Sequence, residues 1–152
     1  MLKPTRILVP TDFSKYSDMA LRQAFDIANV YKSTVYVLHV AQEKLHYALS
    51  DDFTGLAITV QNIKSIEKDI IKTVKEKLNE QVTRLLKGQN IKVIQDIVKG
   101  IPYEEILKEQ KKRKINLIVI ASLGRSGIAR FFLGSVARNV LKGAKCHVLL
   151  TK

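Results

Sequence analysis

A chain of 152 residues with 46% apolar and 26% charged side chains has room for one compact core, and that composition excludes disordered and fibrous classes. The formal charge of +12 is the unusual bulk property, and it invites an anionic partner without naming one. No apolar run approaches the roughly 20 residues that a membrane span requires, and residues 1–6 are too short and polar to open a secretory signal, so a cytoplasmic protein is expected.

Ile7 to Val9 is an apolar run broken at Pro10, which predicts a buried strand with Thr11 and Asp12 at its C-terminal end. Ser14 and Ser17 can cap the helix that follows, where Ala20, Ala24, Ile27, Ala28 and Tyr31 recur at spacings of three and four and mark one buried face. Thr34 to Val40, rich in β-branched and aromatic residues, reads as the second strand. Residues 42–62 mix Asp51, Asp52 and Gly55 with scattered apolar side chains, and fit a lid, a partner surface or a long connection. From Ile63 to Lys87 the apolar residues again step by three or four until Gly88, with lysines on a face expected to be solvated.

Ile91 to Val98 is the third predicted strand, and Pro102 suits the first turn of the next helix. Glu104 and Glu105 near that helix's start and Lys111 to Lys114 near its end follow the sense its dipole favours, which gives the basic run a structural explanation. Leu117 to Ala121 is the fourth strand, Ser135 to Leu141 a helix with Gly143 behind it, and His147 to Leu150 the last strand. The single Cys146 cannot form an internal disulfide and reads as a small apolar filler. Five alternations of strand and helix predict one α/β domain over residues 1–152, a parallel sheet covered on both faces, with ligands outside the C-terminal ends of its strands.

Two strand ends then stand out. The stretch Ala121 to Val136 carries Gly124, Gly127 and Gly134, together with Arg125 and Arg130, between a buried strand and a helix start. Glycines let backbone approach a ligand, and helix N-termini offer unpaired N–H groups, so this is an anion site in outline. Residues 115–152 hold six basic side chains and no Asp or Glu, which suits a phosphate. Asp12 supplies a carboxylate able to orient a ribose, a water or a hydrated Mg²⁺, provided the first and fourth strands are neighbours.

The chain resembles the single-domain universal stress proteins nearly end to end. The likeness runs through ILVPTDFS, VLHV, GIPYEEIL, LIVIASLGRSGIARFFLGSVARNVL and CHVLL. The nucleotide-binding branch of that family carries a glycine, two residues, a glycine, nine residues, then glycine and serine. Here Gly124 and Gly134-Ser135 complete the motif, and Ala121 stands at its first position. The resemblance implies a three-layer α/β sandwich of the adenine nucleotide alpha hydrolase-like type, its five parallel strands in the order 3-2-1-4-5. It implies that Pro10, Thr11 and Asp12 lie against the ribose and adenine, and that Val40 offers its backbone to the base. Ile120 and Ala121 would line the base pocket, with Gly124, Arg125, Gly134, Ser135 and Val136 holding phosphates. It also implies a homodimer through the last strand, Val148 to Leu150.

The expected function is that of a stress-response regulator binding ATP or AMP, with Mg²⁺ reached from Asp12 through water, and acting on a protein partner the sequence does not name. Binding weakened but not abolished is expected from Ala121, since a methyl is tolerated at negative φ and strained at positive φ. A slow Mg²⁺-dependent ATPase is the enzyme alternative, although His39, His46 and His147 offer no convincing catalytic base. A family member working through protein contacts alone is the third reading. Nucleic-acid binding rests on charge only and lacks interleaved aromatic residues.

Overall fold

The computed structural model describes residues 3–42, 60–124 and 133–152. In chain order its elements are β1 (Arg6–Pro10), α1 (Lys15–Tyr31), β2 (Thr34–Ala41), α2 (Val60–Leu86), β3 (Val93–Lys99), α3 (Pro102–Lys112), β4 (Leu117–Ala121), α4 (Ser135–Gly143) and β5 (His147–Thr151). Every strand pair is parallel, in the order β3-β2-β1-β4-β5. The strand order therefore reverses between β1 and β4, which lie side by side with Leu8 opposite Ile118.

Period-two alternation divides the strand side chains between two cores. Ile7 and Val9 of β1, Val35 and Val37 of β2, and Leu117 and Val119 of β4 pack with Ala24 and Phe25 of α1 and with Leu78, Val82 and Leu85 of α2. Leu8, Leu38, Ile118 and Ile120 point the other way, onto Ile106 of α3 and onto Ala137 and Val140 of α4. A fully buried side chain such as Phe25 contributes about 1.5–3 kcal/mol, and its truncation to alanine costs about 3–5 kcal/mol with the cavity included. The two cores fix the sheet as the middle layer and leave its C-terminal edge for the site.

Several local expectations shift. Ser14 alone caps α1, its hydroxyl accepting from the Ser17 N–H, whereas Ser17 is buried and donates back to the Ser14 carbonyl at 2.8 Å. Tyr31 is exposed rather than on the buried face, because α1 ends there and Lys32 takes a left-handed turn at φ 56°. Gly143 belongs to α4 instead of following it. A Cβ there would meet Leu107 Cδ1 at 2.5 Å, so this glycine serves close packing of α4 on α3.

The KKRK run is absorbed structurally in part. Glu109, 5% exposed, accepts from Lys112 Nζ at 2.9 Å and from Arg113 Nε at 2.7 Å, while Arg113 also pairs with Asp96 and lies over the Tyr36 ring. Burial pushes the Glu109 carboxyl upward, but the hydrogen bonds from Lys112 and Arg113 outweigh it and hold the group below its ordinary value. Cys146 is half-buried against the second core, and burial raises its thiol, as an inert filler requires. Among the described residues, no helix is long and apolar enough to cross a membrane.

Candidate functional site

At the end of β1 the chain stops being a strand because Pro10 cannot donate to a ladder and Thr11 turns inward. All three polar groups of Thr11 are engaged. Its N–H donates to the Leu38 carbonyl at 2.9 Å, His39 Nδ1 lies 2.9 Å from its carbonyl oxygen, and its hydroxyl lies 2.9 Å from Gln81 Oε1 and 3.0 Å from Ser17 Oγ. The same hydroxyl oxygen accepts from the Phe13 N–H at 3.1 Å. Phe13 sits at φ 65°, a left-handed conformation that costs a non-glycine residue about 1–2 kcal/mol. Its ring offsets part of that by stacking on His39, centroids 4.4 Å apart, with Lys77 Nζ 4.7 Å above it.

Asp12 lies between these two residues. Its Oδ1 accepts from the Ser14 N–H at 3.0 Å, closing a turn that leads into α1. Its Oδ2 faces β4: a Cβ built on Gly124 would lie 3.1 Å from it. Backbone and carboxylate can approach this closely because residue 124 carries no side chain.

At the end of β4 the chain leaves through Ser122 and returns beside it. The Ser122 N–H donates to the Thr151 carbonyl and the Gly134 N–H donates to the Ser122 carbonyl, both at 2.8 Å. A Cβ on Gly134 would stand 3.2 Å from that Ser122 oxygen, so a small residue is needed at the return. Gly134 is the N-cap of α4 and offers no side-chain cap. The first intrahelical bond runs from the Arg138 N–H to the Gly134 carbonyl, which leaves the N–H groups of Ser135, Val136 and Ala137 without intrahelical acceptors at the positive end of the helix dipole.

These pieces enclose one cleft of about 730 Å³ at the C-terminal edge of the sheet, within the range of small-ligand sites. Pro10, Thr11, Asp12, Val40, Ile120, Ala121, Gly124, Gly134, Ser135 and Val136 all line it. Arg125, Arg130 and Gly127 lie outside the described residues, as does most of the 42–62 connection. Ala121 is the last residue of β4, opposite Thr151, and it is absent from the residues at positive φ. Its methyl packs against the core shared by α1 and α2. Alanine at this position therefore brings no backbone strain.

Sequence reasoning missed the wall supplied by α2. Thr73, Val74 and Lys77 line the cleft, although the lysines of this helix were expected to face solvent throughout. Phe13 and His39 also line it, and the sequence had placed His39 as a core or edge residue of an apolar strand. The reach of Lys77 to Phe13 joins residues far apart in sequence, and helical periodicity alone carries no signal of it.

The chain as a whole is similar to known proteins. A model of the universal stress protein family matches residues 4–152. The chain belongs to that family. It is 30% identical over 154 residues to the universal stress protein MJ0577 of Methanocaldococcus jannaschii, covering 97% of this chain and 94% of that one. A solved structure of MJ0577 superposes with a TM-score of 0.80 at 28% identity, over 99% of this chain and 97% of that chain. More distant members share the fold at 22% identity. One, a universal stress protein in complex with cAMP, has a TM-score of 0.67 over 99% of this chain and 98% of its own. Another, from Archaeoglobus fulgidus in complex with dAMP, has a TM-score of 0.64 over 99% and 100%.

Proposed function

We propose that this universal stress protein is a stress-response regulator that binds an adenine nucleotide, ATP or AMP, in the cleft between the ends of β1 and β4. The observation that carries the reading is the convergence of Asp12, Gly124, Gly134 and the α4 N-terminus on one cleft. A carboxylate suits ribose hydroxyls as an acceptor, and a glycine turn leading to unpaired helix N–H groups suits phosphate. Family members solved with cAMP and dAMP support an adenine nucleotide as the ligand class.

In this reading Pro10 and Thr11 lie against the ribose and base, and Val40 offers its backbone to adenine. Ile120 and Ala121 line the base pocket, while Gly124, Arg125, Gly134, Ser135 and Val136 hold the phosphates. With ATP bound, Mg²⁺ sits on the phosphates and reaches Asp12 through water, since Mg²⁺ accepts one or two carboxylates beside phosphate oxygens and keeps several waters. Two copies pair through β5, the outermost strand, where Leu149 and Leu150 are exposed and covering them would protect an apolar edge. The protein acts in the cytoplasm, through a protein partner that reads the bound state.

The test is direct. Protein purified without added nucleotide is denatured and the supernatant chromatographed, and calorimetry is run with ATP, ADP and AMP at millimolar concentration. Released adenine nucleotide or saturable heat supports the reading. Neither one, from folded protein, overturns it.

A further inference from the structure

Gln81 stands out on α2 because it is polar, 5% exposed and set between Leu78, Val82 and Leu85 of the apolar stripe. Its amide orientation is fixed by its partners. Nε2 donates to Asp18 Oδ1 at 2.7 Å, so Oε1 is the atom that meets the Thr11 hydroxyl at 2.9 Å. Ser17 Oγ spends its one proton on the Ser14 carbonyl and can only accept from Thr11.

The Thr11 hydroxyl therefore gives its proton to Gln81 or Ser17, and its lone pairs are left for the Phe13 N–H. That bond holds Phe13 left-handed, and the reversal there sets the Asp12–Ser14 turn that aims Asp12 Oδ2 at Gly124. We infer that Gln81 is the positioning residue of the Asp12 turn, acting through the Thr11 hydroxyl, so that the turn keeps its shape only while α2 is docked against it. Gln81 does not line the cleft and need not touch a ligand. Its consequence for affinity rests on the nucleotide reading above, whereas its consequence for the turn does not. By linkage, a ligand that grips the turn also tightens α2.

The test uses Gln81→Met, which keeps the volume and removes both hydrogen bonds of the amide, and Thr11→Val, which removes the hydroxyl with its contacts to Gln81, Ser17 and the Phe13 N–H. Amide hydrogen exchange in the ligand-free protein is read at Phe13 and Ser14, with Val9 and Val37 as internal controls. The expected result is exchange at Phe13 and Ser14 faster by about fivefold or more in either variant, the scale of one net hydrogen bond, with the controls within twofold. The double variant should be no faster at Phe13 and Ser14 than Thr11→Val alone, because Gln81 acts there through the Thr11 hydroxyl. If the wild type binds adenine nucleotide, the Kd of Gln81→Met should rise by a similar factor. Unchanged exchange at Phe13, or effects of the two substitutions that simply add, overturns the inference. If Gln81→Met fails to fold, Gln81→Leu, which removes the same two hydrogen bonds, decides by its exchange at Phe13 and Ser14. A wild type that binds no adenine nucleotide overturns the function proposed above, and the exchange result still decides this one.

Discussion

At the β1 side of the cleft, side chains hold the backbone: Thr11, Ser17, Gln81 and Asp18 form a buried or half-buried chain of hydrogen bonds beneath the Asp12 turn. On the β4 side the described contacts are between backbone groups, Gly134 to Ser122 and Ser122 to Thr151, and the decisive feature is a missing side chain at Gly124 and Gly134. One side is shaped by what is present and the other by what is left out. The β1 side should then tolerate changes in the residue that faces the ligand while depending on those behind it. The β4 side should tolerate no added carbon at its glycines.

The largest effect is expected from Gly134→Val. A Cβ already stands 3.2 Å from the Ser122 oxygen, and two further methyls must displace the return of the loop from the strand end. The backbone at this residue, φ −56° and ψ 149°, suits valine, so the fold should persist. Calorimetry should show adenine-nucleotide affinity reduced by more than about 100-fold, near 3 kcal/mol. A change within threefold would mean that the β4 side adapts as readily as the other.

Away from both sides, the Glu109 cluster checks that loss of stability alone does not imitate loss of the site. Arg113→Ala leaves the buried Glu109 carboxylate paired with Lys112 at 2.9 Å and should cost about 2 kcal/mol in chemical denaturation, less than for a buried charge with no partner left. Because the folded-state pKa of Glu109 lies below its ordinary 4.5, its contribution is present above that pH and lost as pH falls through the lower folded value. Glu109→Gln should flatten the stability profile below about pH 4.5. Nucleotide affinity at neutral pH should not move in either variant, and a parallel drop would show that the site reports global stability.

Much of this contrast was readable from the sequence, and the unread part has a physical cause. Strand runs such as Ile7–Val9 and Leu117–Ala121, and the glycines after them, are local signals, and the family likeness supplied the strand order that brings them together. Gln81 was readable only as an anomaly, a polar residue three after Leu78 and four before Leu85, with nothing to say that its partner was Thr11. Phe13 lay hidden for another reason: local sequence favours glycine or asparagine at positive φ, and here tertiary contacts impose it on an aromatic residue. Gly143 misled because glycine after a helix and glycine packed within its last turn look alike in sequence.

Asp12→Asn tests the tolerance expected of the β1 side. Asparagine keeps an oxygen to accept from the Ser14 N–H, so the turn survives and the melting temperature should stay within about 2 °C, the scale of a small surface change. What changes is Oδ2, which becomes a donor facing Gly124 and can no longer accept a ribose hydroxyl as a charged group. Affinity should fall about tenfold, the value of one hydrogen bond to a charge. A loss of 100-fold or more with an unchanged melting temperature would place Asp12 at the centre of ligand charge, in favour of a metal-bridged role.

The smallest effect is expected from Ala121→Gly, at the position where the sequence resemblance implies a glycine. If glycine were needed there for a left-handed backbone, removing the methyl would relieve strain and raise affinity about tenfold. Ala121 has no positive φ; it ends β4 in register with Thr151, its methyl packed toward the α1–α2 core. Glycine should therefore leave affinity within about threefold and lower stability by about 0.5–1 kcal/mol through added backbone freedom. Calorimetry and a denaturant melt on the same preparation separate the two outcomes. A tenfold gain in affinity would mean that the methyl intrudes on the ligand, and that the tolerance seen at Asp12 does not extend across the cleft to the end of β4.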